Sequence, residues 1–312
     1  MSIVQFSKAL ADGTRARLMA VLARHELNVR ELTEALRLPQ SSVSHHLRIL
    51  AEAGLAEARR DGLWAFYRAT ASGPAAEYLR CLAPFLDAPD FATDLGAAAR
   101  VLAARREAAR RFFDAHAPDW PAMLRSVLGD TDLARAVRER LPACTDGAGQ
   151  PRPCATAADL GCGAGQLLPV LHERAENVIG VDHSRAMLAR ARETLGDAPW
   201  ASLRVGELEH LPLRDAEADL ALVCMALHHL PEPPLGVAEA ARVLAPGGHL
   251  LIADFDKHGD ETLRERHGDH WLGFSRAELA AFCEASGLFI AAEDTLALPG
   301  GLTLRFMTAR KP

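Results

Sequence analysis

One nine-residue stretch constrains the fold of this 312-residue chain more than any other: AADLGCGAG, residues 157–165. Apolar residues lead into Asp159, and Gly161, Gly163 and Gly165 follow at alternate positions. The pattern reads as the end of a buried parallel strand turning sharply into a helix, with glycines that let a ligand approach the backbone. A nucleotide-like ligand is expected across that turn. A dinucleotide fingerprint would need its third glycine where Gln166 stands. The carboxylate of Asp159 beside the loop also suits a ligand carrying an amino group better than a pyrophosphate.

The segments that follow extend this reading. Residues 177–181, NVIGV, form a short β-branched run ending on Asp182, 23 residues after Asp159. An acid at the tip of the second strand is placed to hold both ribose hydroxyls of an adenosine. After a third strand at 203–206, Glu207 can accept the adenine amino proton and Leu208 can cover the ring. A fourth strand at 218–224 runs into Met225, Ala226, Leu227, His228 and His229. Residues 241–255, ARVLAPGGHLLIADF, give a helix end, a Pro-Gly-Gly turn and a fifth strand. A helix at 275–286 stops at Gly287, and strands at 287–293 and 301–308 are expected to add an antiparallel pair.

The order DLGCGAG, GVDHS, GELEHLPL, LHHL and LAPGGHLLIADF resembles the class I S-adenosylmethionine-dependent methyltransferases. The resemblance covers residues 111–312. It implies an α/β, Rossmann-like seven-stranded sheet with S-adenosylmethionine or S-adenosylhomocysteine as ligand. Gly161, Cys162, Gly163, Gly165, His183, Met187, Cys224, Met225 and His229 then join Asp159, Asp182, Glu207 and Leu208 as candidate lining. In similar methyltransferases the segment holding Phe112, Phe113, His116 and Trp120 lies over the ligand, where an aromatic face can attract a sulfonium cation. The same aromatics would equally serve to seal a core.

The net charge of −6 conceals an asymmetry: residues 1–70 hold ten Lys/Arg and seven Asp/Glu, so the remainder carries −9. A mildly basic small domain joined to an acidic one permits nucleic-acid binding. Ile3, Phe6 and Leu10 mark one face of a first helix, and Leu18, Val21 and Leu22 mark a second. Asn28 and Glu31 form a capping-box-like start for a third. Pro39 opens a fourth that runs to about Gly54. Val43, His46, Leu47 and Leu50 share its inward side, while Ser41, Ser44, His45 and Arg48 line the opposite face. Short polar groups with one cation suit a helix laid in a major groove, although such a stripe also serves as a solvated face. A β-hairpin follows, with Arg60-Asp61-Gly62 as its expected turn and Arg59 and Arg60 placed against phosphates.

ADGTRARLMAVL, ELTEALRLPQSSVSHHLRILAEAGL and this hairpin resemble the ArsR family of bacterial transcriptional regulators. The resemblance covers about residues 1–75 and implies a mainly α winged helix-turn-helix contacting double-stranded DNA. Gln40, Ser41, Ser42, Ser44, His45, Arg48, Arg59, Arg60 and Gly62 are its candidate DNA-binding residues. Metal-sensing members carry a cysteine pair on the third helix, where this chain has Asn28 and Arg30, so no metal sensing is expected there. By the same resemblance, the helix at 75–86 would pack across a two-fold homodimer interface. Residues 76–110 are expected to hold dimerisation and linker helices, whose Arg100, Arg105, Arg106, Arg110 and Arg111 could reach DNA or merely be solvated.

Methyl transfer needs alignment and a neutral or deprotonated nucleophile, with little covalent help. His228 and His229 are therefore weak catalytic candidates, either as bases or as the pocket floor. Asp254, His258, His267 and His270 match no compact ligand spacing, and no metal is expected. Six scattered cysteines suggest reduced thiols in a cytoplasm, with Cys144 and Cys154 flanking a Gly/Pro-rich loop at 142–153 without close pairing. No apolar run reaches the roughly 18 residues of a membrane span, and no export is implied by the N-terminus. Two functions follow. Bacterial regulators of this ArsR-plus-methyltransferase layout are associated with the methionine cycle, which implies a regulator sensing S-adenosylmethionine or S-adenosylhomocysteine. The alternative is an active small-molecule methyltransferase fused to an autoregulatory DNA-binding domain.

Overall fold

Polar caps start the helices of the N-terminal region. In the computed structural model, which describes residues 2–144 and 154–312, the chain divides into Met1–Glu107 and Ala108–Pro312. The first unit runs α1 (Ile3–Leu10), α2 (Gly13–Leu22), β1 (Leu27–Asn28), α3 (Val29–Leu36), α4 (Gln40–Glu52), β2 (Ala56–Asp61), β3 (Trp64–Ala69) and α5 (Gly73–Leu86). The Asp12 carboxylate accepts from the Arg15 N–H at 3.0 Å, which ends α1 and starts α2. Asn28 and Glu31 form the reciprocal box expected of them, at 3.0 and 2.8 Å. Leu18, Val21, Leu22, Leu32, Val43, Leu47 and Leu50 are buried together. The apolar periodicity of three helices thus converges on one core.

The hairpin turns later in the chain than the expected Arg60-Asp61-Gly62. Asp61 pairs with Trp64, so the loop is Gly62-Leu63, and Arg59 and Arg60 stand back on β2. Gly62 has φ +57°, as a two-residue hairpin loop requires, and fully buried Asp61 holds the last ladder position. β3 lies between β1 and β2 in a three-stranded sheet.

The helix α6 (Ala92–His116) contains the arginine run. Asp94 accepts from Arg17 at 2.7 Å, and Arg105 donates to Glu31 at 2.6 Å while lying 5.7 Å over the Phe66 ring. Arg105 is therefore committed to the core of its own unit instead of presenting a free basic face.

The second unit continues with α7 (Trp120–Leu128), α8 (Leu133–Arg138), β4 (Cys154–Leu160), α9 (Leu168–His172), β5 (Ala175–Asp182), α10 (Arg185–Leu195), β6 (Ala201–Val205) and β7 (Ala218–Cys224). It ends with α11 (Pro233–Val243), β8 (Leu244–Phe255), α12 (Thr262–His267), α13 (Arg276–Ala285), β9 (Phe289–Ala297) and β10 (Thr303–Arg310). These strands form one seven-stranded sheet in the order β6-β5-β4-β7-β8-β10-β9. β10 is antiparallel to both its neighbours, and the other pairs are parallel. The runs Ala157–Leu160, Val178–Asp182 and Leu220–Cys224 are buried, as strands covered on both faces must be. The chain order reverses beside β4, which opens a crevice at the carboxyl ends of β4 and β7.

One expectation about the cysteines is overturned. Cys144 and Cys154 form a disulfide with Cα atoms 5.5 Å apart, because both side chains turn into the same buried cluster at the start of β4. Cysteine usage therefore no longer argues for a reducing compartment. Residues 145–153, most of the Gly/Pro-rich loop, lie outside the described residues. Among the described residues no helix is long and apolar enough to cross a membrane.

Candidate functional site

The glycine turn sits where the sheet reverses. Gly161 and Gly165 have φ of +88° and +80°, and a side chain on either would begin within 3 Å of the Cβ of Ala226 or Ala191. Only glycine fits there. Asp159, at the end of β4, is 2% exposed, and its Oδ2 has no hydrogen-bond partner. Burial, reinforced by Asp182, pushes this carboxyl up to about 7. Asp182 ends β5 and accepts from the N–H groups of Gly163 and Ser184, at 2.9 and 2.8 Å. Burial raises its pKa too, against those two hydrogen bonds. Glu207, after β6, accepts from Arg110 at 2.6 Å, and buried Leu208 lies against Gly161.

Aromatic rings cover this turn. Phe113 packs with Ala117, Ala164 and Met187, and its ring centroid lies 5.5 Å from Trp120, 5.6 Å from His183 and 4.7 Å from His229. The Trp120 Nε1 lies 3.8 Å from the point where a Gly163 side chain would begin. His116 makes its contacts with Phe112: its Nδ1 lies 2.8 Å from the Phe112 carbonyl and its ring stacks on that of Phe112. Asp114, which the sequence reading passed over, accepts from the Ser184 hydroxyl at 2.6 Å and so fixes the aromatic segment to the start of α10. Its position next to Phe113 is the only signal the sequence offered.

At the end of β7, Met225 takes φ +54°, an uncommon conformation for a side chain of its size. Cys162 and Cys224 are buried, and burial with the nearby acids drives both thiols well above their ordinary range, so both stay protonated. His228 places Nδ1 2.6 Å from Asp254 Oδ1 and Nε2 3.7 Å from Asp269 Oδ1. Burial depresses its pKa, but the two carboxylates outweigh that and hold it above the ordinary histidine value. His229 has its Nδ1 3.2 Å from the Gly268 carbonyl, and burial followed by His228 drives it far below that value. Of the pair, His229 is thus the neutral ring beside Phe113, while His228 is enclosed by acids. The backbone N–H groups of His270 and Trp271 donate to the His228 carbonyl, both at 2.9 Å. The Trp271 indole N–H donates to the Leu230 carbonyl at 2.8 Å. Asp254 and Asp269 stand 26 and 41 residues from His228, too far apart in sequence for any spacing rule to join them.

In the first unit, the exposed face of α4 presents Gln40, Ser41, Ser44, His45 and Arg48, with Ser42 half-buried. An Arg48 guanidinium nitrogen lies 3.3 Å from His45 Nδ1. On the hairpin Arg60 and Gly62 are exposed, whereas Arg59 donates to Glu26 at 2.8 Å and is largely covered. Arg60 is therefore the hairpin cation open to a phosphate.

Comparison with known proteins gives each unit a family. Residues 12–58 match the family described as bacterial regulatory protein, arsR family, and residues 158–252 match the methyltransferase domain family. The arsenic resistance transcriptional regulator ArsR1 of Pseudomonas putida is 53% identical over 62 residues, 20% of this chain and 48% of the relative. A probable S-adenosylmethionine-dependent methyltransferase of Mycolicibacterium smegmatis is 32% identical over 157 residues, 49% of this chain and 58% of the relative. The chain spans about half the length of the curated relatives it matches. The crystal structure of Burkholderia thailandensis 1,6-didemethyltoxoflavin-N1-methyltransferase, with S-adenosylhomocysteine bound, superposes with a TM-score of 0.50. It is 22% identical and covers 65% of this chain and 86% of that one, a likeness of fold alone. The chain therefore carries an ArsR-family winged helix-turn-helix domain followed by a methyltransferase domain of the S-adenosylmethionine-dependent, Rossmann-like fold.

Proposed function

We propose that this protein is a DNA-binding transcriptional regulator whose methyltransferase domain takes S-adenosylmethionine or S-adenosylhomocysteine as its effector. One observation carries the reading: the buried Asp159 Oδ2 has no protein partner and stands beside a glycine turn that leaves no room for side chains. An ammonium group satisfies such an oxygen and removes its desolvation penalty. Asp182, already oriented by two backbone N–H groups, would receive the ribose hydroxyls, and Leu208 the adenine face. Phe113 and Trp120 would close over the sulfur. The bound cosubstrate supplies a methyl group on a sulfonium, and the two ligands differ by that methyl and its charge.

A regulator needs only unequal affinity of ligand for its DNA-competent and incompetent states. The reading includes a homodimer acting in the cytoplasm on a near-palindromic operator, in control of methionine-cycle genes. Calorimetric titration of the full chain with S-adenosylhomocysteine tests its foundation. Saturable one-to-one binding is expected, and an absence of heat at millimolar ligand sinks the proposal.

A second reading, turnover of a small acceptor, is favoured by His229. This ring is held neutral beside Phe113, at the end of β7 where an acceptor would meet the methyl group, and a neutral imidazole can take a proton. Production of S-adenosylhomocysteine from S-adenosylmethionine with candidate acceptors separates the two, since a pure sensor makes none.

A further inference from the structure

Outside the glycine turn, the chain gathers two imidazoles and one carboxylate at a single point, with His228 and Asp269 buried and His229 half-buried. A nitrogen of His228, a nitrogen of His229 and an oxygen of Asp269 all lie within 4.8 Å of one another. This is not the set suggested by the sequence, because Asp254 serves to hold His228 and the gathered carboxylate is Asp269. Neither oxygen of Asp269 has a hydrogen-bond partner, although its side chain is only 1% exposed. A buried carboxylate without donors is strongly disfavoured unless a positive charge meets it. His228 Nε2 and His229 Nδ1 approach the same oxygen at 3.7 and 3.9 Å, too far for hydrogen bonds. They are close to the roughly 3.4 Å between ligand atoms set about 2.0–2.2 Å from a tetrahedral ion.

We propose that His228, His229 and Asp269 form a site for a divalent first-row transition ion of the zinc class. His228 ligates through Nε2, since its Nδ1 is engaged by Asp254 at 2.6 Å. A carboxylate on the far nitrogen of a ligand histidine fixes its ring and strengthens it as a donor. His229 exchanges its long contact with the Gly268 carbonyl for the ion. Asp254 and Asp269 together balance the two positive charges, and two imidazoles with one carboxylate suit zinc better than calcium or magnesium. The fourth position is left to water or an acceptor group. The ion would fasten the segment carrying Asp269, which already donates through His270 and Trp271 to the His228 carbonyl, to the end of β7. This inference does not depend on adenosyl binding.

The test uses the full chain, stripped with a chelator, desalted and titrated with cobalt(II) chloride and zinc sulfate. One equivalent should bind per chain, with cobalt d–d absorption that zinc displaces. Asp269→Asn and His229→Gln should each abolish stoichiometric binding, and Asp254→Asn should weaken it about 10–100-fold. His258→Gln should bind as the unmodified protein does. Zinc-edge X-ray absorption on the unmodified protein, which depends on no variant, should show imidazole and oxygen neighbours. Sulfur neighbours, absence of stoichiometric binding, or undiminished binding in folded Asp269→Asn would each overturn the proposal.

Discussion

Asp159 is the residue on which the proposed adenosyl site turns, and its chemistry makes pH a probe. Its carboxyl lies at about 7 in the folded protein, above its ordinary 3.8. For an acid raised on folding, the stability contribution is complete below the unfolded value and is lost as pH rises through the folded value. Without ligand, the melting temperature should therefore fall between about pH 4 and pH 7 and level off above, and Asp159→Asn should flatten that part of the profile. A ligand ammonium favours the ionised form, so affinity for S-adenosylhomocysteine should rise about tenfold per unit below pH 7 and level off above it. Calorimetry across that range checks both the slope and its loss in Asp159→Asn; a flat profile for the unmodified protein contradicts the assignment. Asp182→Ala should weaken the ligand and also free the Gly163 and Ser184 N–H groups, so its effect should exceed that of the conservative Asp182→Asn.

At the scale of elements, local signals were legible wherever they acted through neighbours in sequence. The Asn28–Glu31 box and the glycine turn were both readable because each is complete within a few residues. Asn28→Ala should cost about 1 kcal/mol of stability by removing a cap, measurable by denaturant unfolding. The hairpin turn was expected at Arg60-Asp61-Gly62 because Asp-Gly is a turn signal, whereas here Asp61 is buried on β2 and Gly62-Leu63 makes the turn. That shift matters for DNA, since Arg59 is spent on Glu26 and Arg60 remains exposed. Arg60→Ala should weaken binding uniformly across sequences and lower its salt dependence, as loss of a phosphate contact does. Arg48→Ala, on the face of α4, should weaken operator binding by about 1–3 kcal/mol and relax sequence preference. Anisotropy titrations with operator and scrambled DNA separate these outcomes, and equal effects on both sequences in Arg48→Ala would refute base reading by α4.

Across the whole molecule, the succession of strands along the chain was legible from the motifs, because Asp159, Asp182 and Glu207 each stand at or just after the end of a short strand-like run. The constellations made by distant segments were not. His228, Asp254 and Asp269 meet only because β7 and β8 are parallel neighbours and the segment after α12 folds back onto β7. The Cys144–Cys154 disulfide likewise depends on both side chains meeting in one buried cluster, which composition does not disclose. The proposed regulator would couple its two units, ligand in the methyltransferase domain biasing DNA binding by the winged helix. Titration of a fluorescent operator with the full chain, with and without S-adenosylhomocysteine at a concentration shown calorimetrically to saturate, measures that coupling directly. Operator affinity should shift about 5–150-fold, a coupling of roughly 1–3 kcal/mol. Superimposable isotherms for free, S-adenosylmethionine-loaded and S-adenosylhomocysteine-loaded protein would contradict it.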